Sequence, residues 1–109
     1  MNLLMYLGTK LLTYSVLGAL FMSTWLYTHE MVHVVIAGYN NCTDVYIDWF
    51  NAEGVATIST CQNYPDWFLL ANSINEVIGY TVALPLWLII FVLIVFYLED
   101  NLFNLRGVY

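Results

Sequence analysis

Positive charge is almost missing from this chain of 109 residues: Lys10 and Arg106 are its only basic residues, set against eight Asp and Glu. Two cations make no basic stripe, which argues against binding to nucleic acid or to anionic lipid headgroups. Charge of either sign is scarce, at 9%, where a soluble domain carries about 25%. The hydrophobic share is 61%, and such a chain folded alone in water would expose large apolar patches. Lipid is therefore the expected solvent. The first nine residues are uncharged, Lys10 then interrupts the apolar run, and no small-residue cleavage site follows. A cleaved secretory signal is accordingly not expected.

Two long uncharged stretches are present. Residues 11–28 carry no charge and the apolar character continues to residue 37, ending at Gly38-Tyr39-Asn40-Asn41. A helix over residues 3–38 would be roughly 54 Å long, against a hydrocarbon core of about 30 Å. It must tilt, bend or emerge, and the polar His29-Glu30 pair marks the emerging end. Residues 77–98 form the second run, rich in Ile, Leu, Val and Phe, with Pro85 inside it. Proline frees the carbonyl four residues earlier, at Thr81, so a local departure from the α-helix is expected there. Trp25, Trp67, Trp87 and Tyr97 fall towards the interfaces, where amphipathic rings settle.

Between the runs, residues 45–50 and 55–60 are β-branched and aromatic, flanking the turn Asn51-Ala52-Glu53-Gly54. Cys42 and Cys61 bracket this β-hairpin and would pair in an oxidising compartment. Lys10 and Arg106 both lie away from the loop, so the positive-inside rule places both termini in the cytoplasm and the loop outside. The expected fold is a membrane all-α unit: helix 1 over residues 3–38, an extracytoplasmic disulfide-linked β-hairpin loop over 39–66, helix 2 over 67–98, and a cytoplasmic tail over 99–109. The expected location is the cell membrane, multi-pass. Asn41-Cys42-Thr43 matches the N-glycosylation pattern.

Chemistry concentrates in His29-Glu30-Met31-Val32-His33, which holds both histidines of the chain. On a helix, residues four apart lie one above the other, so both imidazoles can reach one metal ion. Glu30 projects beside them, where it could take a proton from metal-bound water. A catalytic zinc takes three protein ligands and keeps one position open, and Glu76 in Asn75-Glu76 is the third candidate. His33 and Glu76 lie roughly 8 and 14 Å below the loop by helical rise, so antiparallel helices bring them to similar depth. Gly18, Met22, His29 and His33 form one stripe and Asn72, Glu76 and Gly79 another, with glycines that permit close approach.

The two short motifs resemble those of the zincin metallopeptidases, in which an HExxH helix is followed by a helix bearing Asn-Glu. They also look like the intramembrane site-2 type, where HExxH lies in a membrane helix. The resemblance implies His29, His33 and Glu76 as ligands of a divalent metal, zinc in those families, and Glu30 as general base. The chain departs from both patterns: Tyr80 stands near where the soluble family closes its second motif with an acid, and Asp100 is followed by Asn101 where the membrane family has aspartate-glycine. Two function classes are carried forward. The favoured one is a small accessory subunit of a larger integral membrane complex, with other subunits or further copies of itself as partners. An accessory subunit of an archaeal membrane copper monooxygenase would be one member of that class, with no motif here that carries the name. The alternative is a minimal zinc-dependent membrane metallohydrolase, peptidase-like. Either class could use the polar residues simply as interhelical hydrogen-bond partners.

Overall fold

The computed structural model describes residues 2–52 and 54–103; Glu53, Arg106 and the tail from residue 104 lie outside the described residues. The chain forms α1 (Leu3–Tyr39), β1 (Thr43–Asn51), β2 (Gly54–Thr60), α2 (Asp66–Ile78), a π-helical turn (Gly79–Ala83) and α3 (Leu84–Asn101). Two helices, Leu3–Tyr39 and Asp66–Asn101, are long and apolar enough to cross a membrane. The helical hairpin and its disulfide-linked β-hairpin have the expected shape. The molecule is a rod of 65 × 25 × 18 Å with a radius of gyration of 19.5 Å, where a compact domain of this length would have about 13 Å.

Each end of α1 is closed by asparagine. The Asn2 side chain accepts from the Met5 N–H at 2.8 Å, satisfying one of the first-turn donors. At the other end Asn41 takes the left-handed conformation, φ 56°. The Cys42 N–H then reaches the Ala37 carbonyl and the Asn41 N–H the Gly38 carbonyl, both at 3.0 Å. This is a Schellman stop. It turns the chain so that Cys42 meets Cys61 in a disulfide. Closing a loop of that size lowers the entropy of the unfolded chain by about 3 kcal/mol.

The two strands pair antiparallel, with Tyr46 opposite Ile58, Ile47 opposite Thr57 and Asp48 opposite Ala56. They run past the expected bounds by accommodating register breaks on both sides of that core, between Thr43 and Tyr46 and between Asp48 and Asn51. Asp44, at φ 54°, sits in the first of them. The ribbon lies against α1: the Tyr27 and Trp49 rings stack 6.4 Å apart, and the Thr57 hydroxyl reaches Glu30.

The long helices pack antiparallel, and polar clusters near both ends hold their register. Towards the termini, Lys10 pairs with Glu99 at 2.6 Å and the Tyr14 hydroxyl donates to the same carboxylate at 2.9 Å. These contacts, and the Asn101 side chain donating to the Tyr97 carbonyl, carry α3 beyond residue 98, where the apolar run stops. The Tyr6 hydroxyl donates to the Phe103 carbonyl at 2.7 Å. In the middle, Phe21 stacks on Trp87 at 4.4 Å, and the indole N–H donates to the Phe21 carbonyl. Gly18 lies beside Phe91, where a Cβ would make an ordinary contact of 3.6 Å with the ring. The departure expected around Pro85 takes the form of the π turn, in which the Leu84 N–H reaches back five residues to the Gly79 carbonyl.

The core is thin. Tyr6, Trp25, Ala37, Phe68 and Phe103 are the buried hydrophobic residues described, and α3 buries none. Leu86, Ile89, Leu93 and Phe96 of α3 are all more than half exposed. Apolar surface on that scale is a mark of contact with lipid or with other chains.

Candidate metal centre

The site is a rung between two antiparallel helices. His29 and His33 stand one turn apart on α1, and Asn72 and Glu76 one turn apart on α2. A shared spacing of four residues, about one helical pitch, lets the two pairs face each other without distortion. His29 comes opposite Glu76 and His33 opposite Asn72. The Nε2 atoms of His29 and His33 both hydrogen-bond to Oε1 of Glu76, at 3.1 and 2.6 Å. Ligand atoms of the three side chains lie within 4.8 Å of one another. Ligands about 2.1 Å from a tetrahedral ion lie about 3.4 Å apart, so seating a cation among these atoms opens the closest contact and draws any wider pair together.

The two imidazoles are held differently. His29 is 5% exposed. Its ring stacks on Trp25 at 5.1 Å, meets His33 edge-on at 5.2 Å, and has Tyr80 beside it at 5.2 Å. The fourth side is backbone: a Cβ at Gly79 would fall 2.6 Å from Cε1 and Nδ1 of the ring. Glycine at the start of the π turn is what lets His29 lie flat against α2. His33 is fixed by hydrogen bonds instead, with Nδ1 2.6 Å from Oδ1 of Asn72. The Asn75 amide ties the helices beside them by donating to the His29 carbonyl at 3.3 Å.

Glu30 is placed apart from the three. It is buried, 6% exposed, not solvated as an interfacial acid would be. Its Oε2 accepts from the Thr57 hydroxyl at 2.6 Å. The same hydroxyl lies 3.1 Å from the Glu30 carbonyl, and its single proton serves the closer acceptor better. Glu30 nevertheless lines the same cavity as His33, Asn72, Glu76 and Tyr80, a space of about 380 Å³ roofed by β2. That is at the small end of the range for ligand pockets, about 300–1,000 Å³. A second, apolar cavity of about 250 Å³ is lined by Trp25, His29, Asn75, Gly79 and Trp87.

Every residue expected to bear on the chemistry is thus in one neighbourhood. His29, His33 and Glu76 converge, and Glu30 is drawn off towards the hairpin. Sequence reasoning did not find Thr57, because nothing local to a strand says which of its side chains will meet a helix 27 residues away. No family model, no curated protein and no solved structure matches this chain.

Proposed function

We propose that the chain is an integral membrane protein that holds a divalent metal as an accessory subunit of a larger complex. One observation carries the reading: two imidazole nitrogens meet a single carboxylate oxygen between helices whose outer faces are apolar and exposed. An ionised carboxylate at membrane depth needs a positive partner, and a cation bound by two neutral imidazoles supplies it. Two imidazoles and a carboxylate are the donor set of many catalytic zinc sites. Zinc is the metal assigned, although iron(II) also suits this set. The subunit role follows from coverage. Two helices and a ribbon leave the Glu76 side chain 49% exposed, so further protein, from other subunits or a second copy, is needed to enclose the site.

One feature favours the second reading, a zinc-dependent membrane hydrolase. Glu30 borders the same cavity as His33 and Glu76, where a carboxylate could accept a proton from water on the open position. Metal and subunit analysis of the purified native assembly tests both readings. About one zinc ion per chain together with further subunits is expected. A monodisperse, metal-free monomer that keeps its fold in gentle detergent would overturn the proposal. Metal with no other subunit, and turnover of a peptide, would favour the hydrolase.

The proposed topology puts the disulfide outside and both termini in the cytoplasm, from the placement of Lys10 and Arg106 and the chemistry of the Cys42–Cys61 pair. An impermeant thiol reagent applied to reduced, intact cells should label both cysteines. Labelling that requires permeabilised cells would reverse the orientation.

A further inference from the structure

We propose that Asn72 is a positioning residue that sets the tautomer of His33, holding the ring proton on Nδ1 and leaving Nε2 to bind the metal. The inference rests on the metal-site reading above and goes beyond it, by assigning how one ligand is prepared. A neutral imidazole carries its proton on either nitrogen, and only the nitrogen without it has a lone pair for a cation. In one tautomer Nε2, the atom that faces Glu76, would be blocked.

Three distances bear on which ring nitrogen keeps its proton when a cation binds. Nδ1 of His33 lies 2.6 Å from Oδ1 of Asn72, a contact that closes only if a proton lies on it, because two lone pairs at that distance repel. Asn72 cannot offer its NH2 group to the ring instead. That group donates to the Phe68 carbonyl at 3.0 Å, and turning the amide over would bring Oδ1 against the carbonyl oxygen. The Asn72 oxygen is therefore an acceptor by construction, and the ring nitrogen facing it is a donor. On the opposite edge Nε2 lies 2.6 Å from the Glu76 carboxylate oxygen, a contact that likewise needs a hydrogen or a cation between the two atoms. When a cation replaces the hydrogen of that second contact, the Nδ1–H donation is unaffected.

The arrangement is economical in sequence. Asn72 and Glu76 share one face of α2, so the residue that fixes the ring and the residue that shares the cation are set by the same helical turn. Metal-binding histidines commonly donate their second N–H to a carbonyl or carboxylate, and losing that partner costs about 10–100-fold in metal affinity. His29 has no such device described at Nδ1, which lies against Gly79, and is held by packing. The two ligands should thus respond differently to substitution at position 72.

The test uses the full chain in its native assembly, titrated with Co2+ as a spectroscopic stand-in for zinc. Wild type, Asn72→Leu and Asn72→Asp are compared, the aspartate keeping an acceptor oxygen at the same place. Expected are a loss of about 10–100-fold in affinity for leucine and recovery most of the way to wild type for aspartate. Nitrogen-15 shifts of His33 in the metal-loaded wild type give a readout independent of any variant's folding. They should show a protonated Nδ1 and a coordinated Nε2. Leucine binding Co2+ as tightly as wild type, or a His33 coordinated through Nδ1, overturns the role of Asn72 while leaving the metal site intact. Folded wild-type protein that takes up neither Co2+ nor Zn2+ overturns the metal reading itself, and this inference with it.

Discussion

Replacing Glu76 by glutamine is expected to empty the metal site while leaving the helix pair closed. The amide keeps a hydrogen-bonding group where Oε1 now meets both imidazoles, so the rung between α1 and α2 survives. The negative charge is gone, however, and a neutral amide oxygen is a weak ligand. Loss of a partner that only orients a ligand lowers affinity about 10–100-fold, and loss of a ligand's charge should exceed that. Glu76→Ala removes the rung as well. Interhelical hydrogen bonds inside membranes are worth about 0.6–2 kcal/mol each, so this variant should also lose roughly 1–3 kcal/mol of stability. The pair of variants separates two roles for the same residues. If the cluster only joins helices, glutamine will match wild type in metal content and in melting. If it binds metal, glutamine will melt like the metal-free wild type and carry no ion. Metal analysis and thermal unfolding of the two purified variants make the comparison.

The legible parts of this molecule are those encoded over short distances. Uncharged runs at residues 11–28 and 77–98 announce long apolar helices, because length and composition are local properties. Gly38-Tyr39-Asn40-Asn41 announces a helix end, and the structure uses Asn41 to make it. The four-residue spacing of His29 and His33 is helix geometry and needs no tertiary knowledge. Glu76 could be reached by counting depth along two antiparallel helices, as could its neighbours on the same stripe. What could not be read was the rotation of one helix about its axis relative to the other. That rotation is set by particular side chains: Phe21 on Trp87, Gly18 under Phe91, and Lys10 with Tyr14 on Glu99. It decides that Glu30 turns to Thr57 while its neighbour His29 turns to Glu76. Pro85 flagged an irregular turn, but a π turn rather than a simple break follows from how α2 and α3 must both stay in contact with α1. Gly79, the first residue of that turn, lies against His29.

The exposed apolar faces and the open site make different demands on their surroundings. A free carboxylate edge on Glu76 and bare leucine and isoleucine on α3 both require covering. In the proposed membrane setting lipid can satisfy the second but not the first, since a charged group at membrane depth is stable only against protein, water or a counter-charge. The chain that covers α3 alone need not be the one that reaches Glu76. The cavity under β2 is the side from which a fourth ligand, or water, would approach the metal.

Substituting Gly79 by alanine is expected to be the most damaging glycine-to-alanine change among the described helical glycines. In an ordinary helix the change would stabilise by about 1 kcal/mol, through the higher helix propensity of alanine. Here the new Cβ would stand 2.6 Å from Cε1 and from Nδ1 of His29, and a ring cannot yield as a flexible chain end would. Trp25 stacks on His29 and His33 meets its edge, so the imidazole yields only by moving α1 from α2 or by swinging into the apolar cavity beside it, away from its present contact with Glu76. Overpacking of this kind costs about 1–3 kcal/mol, which reverses the sign given by propensity. The metal site suffers with it, because His29 reaches Glu76 by only one contact, at 3.1 Å, and any separation of the helices lengthens it first. Affinity should fall by at least about 10-fold, the smaller loss expected when a ligand's support is disturbed. Gly8 provides the control, since a Cβ there would meet nothing within 4 Å. Gly8→Ala should therefore leave metal affinity unchanged and melting unchanged or slightly raised. Thermal unfolding and metal titration of the two alanine variants, side by side in the native assembly, decide the matter. Equal behaviour at positions 8 and 79 would mean that His29 does not lie against Gly79, and the proposed centre would lose one of its three ligands.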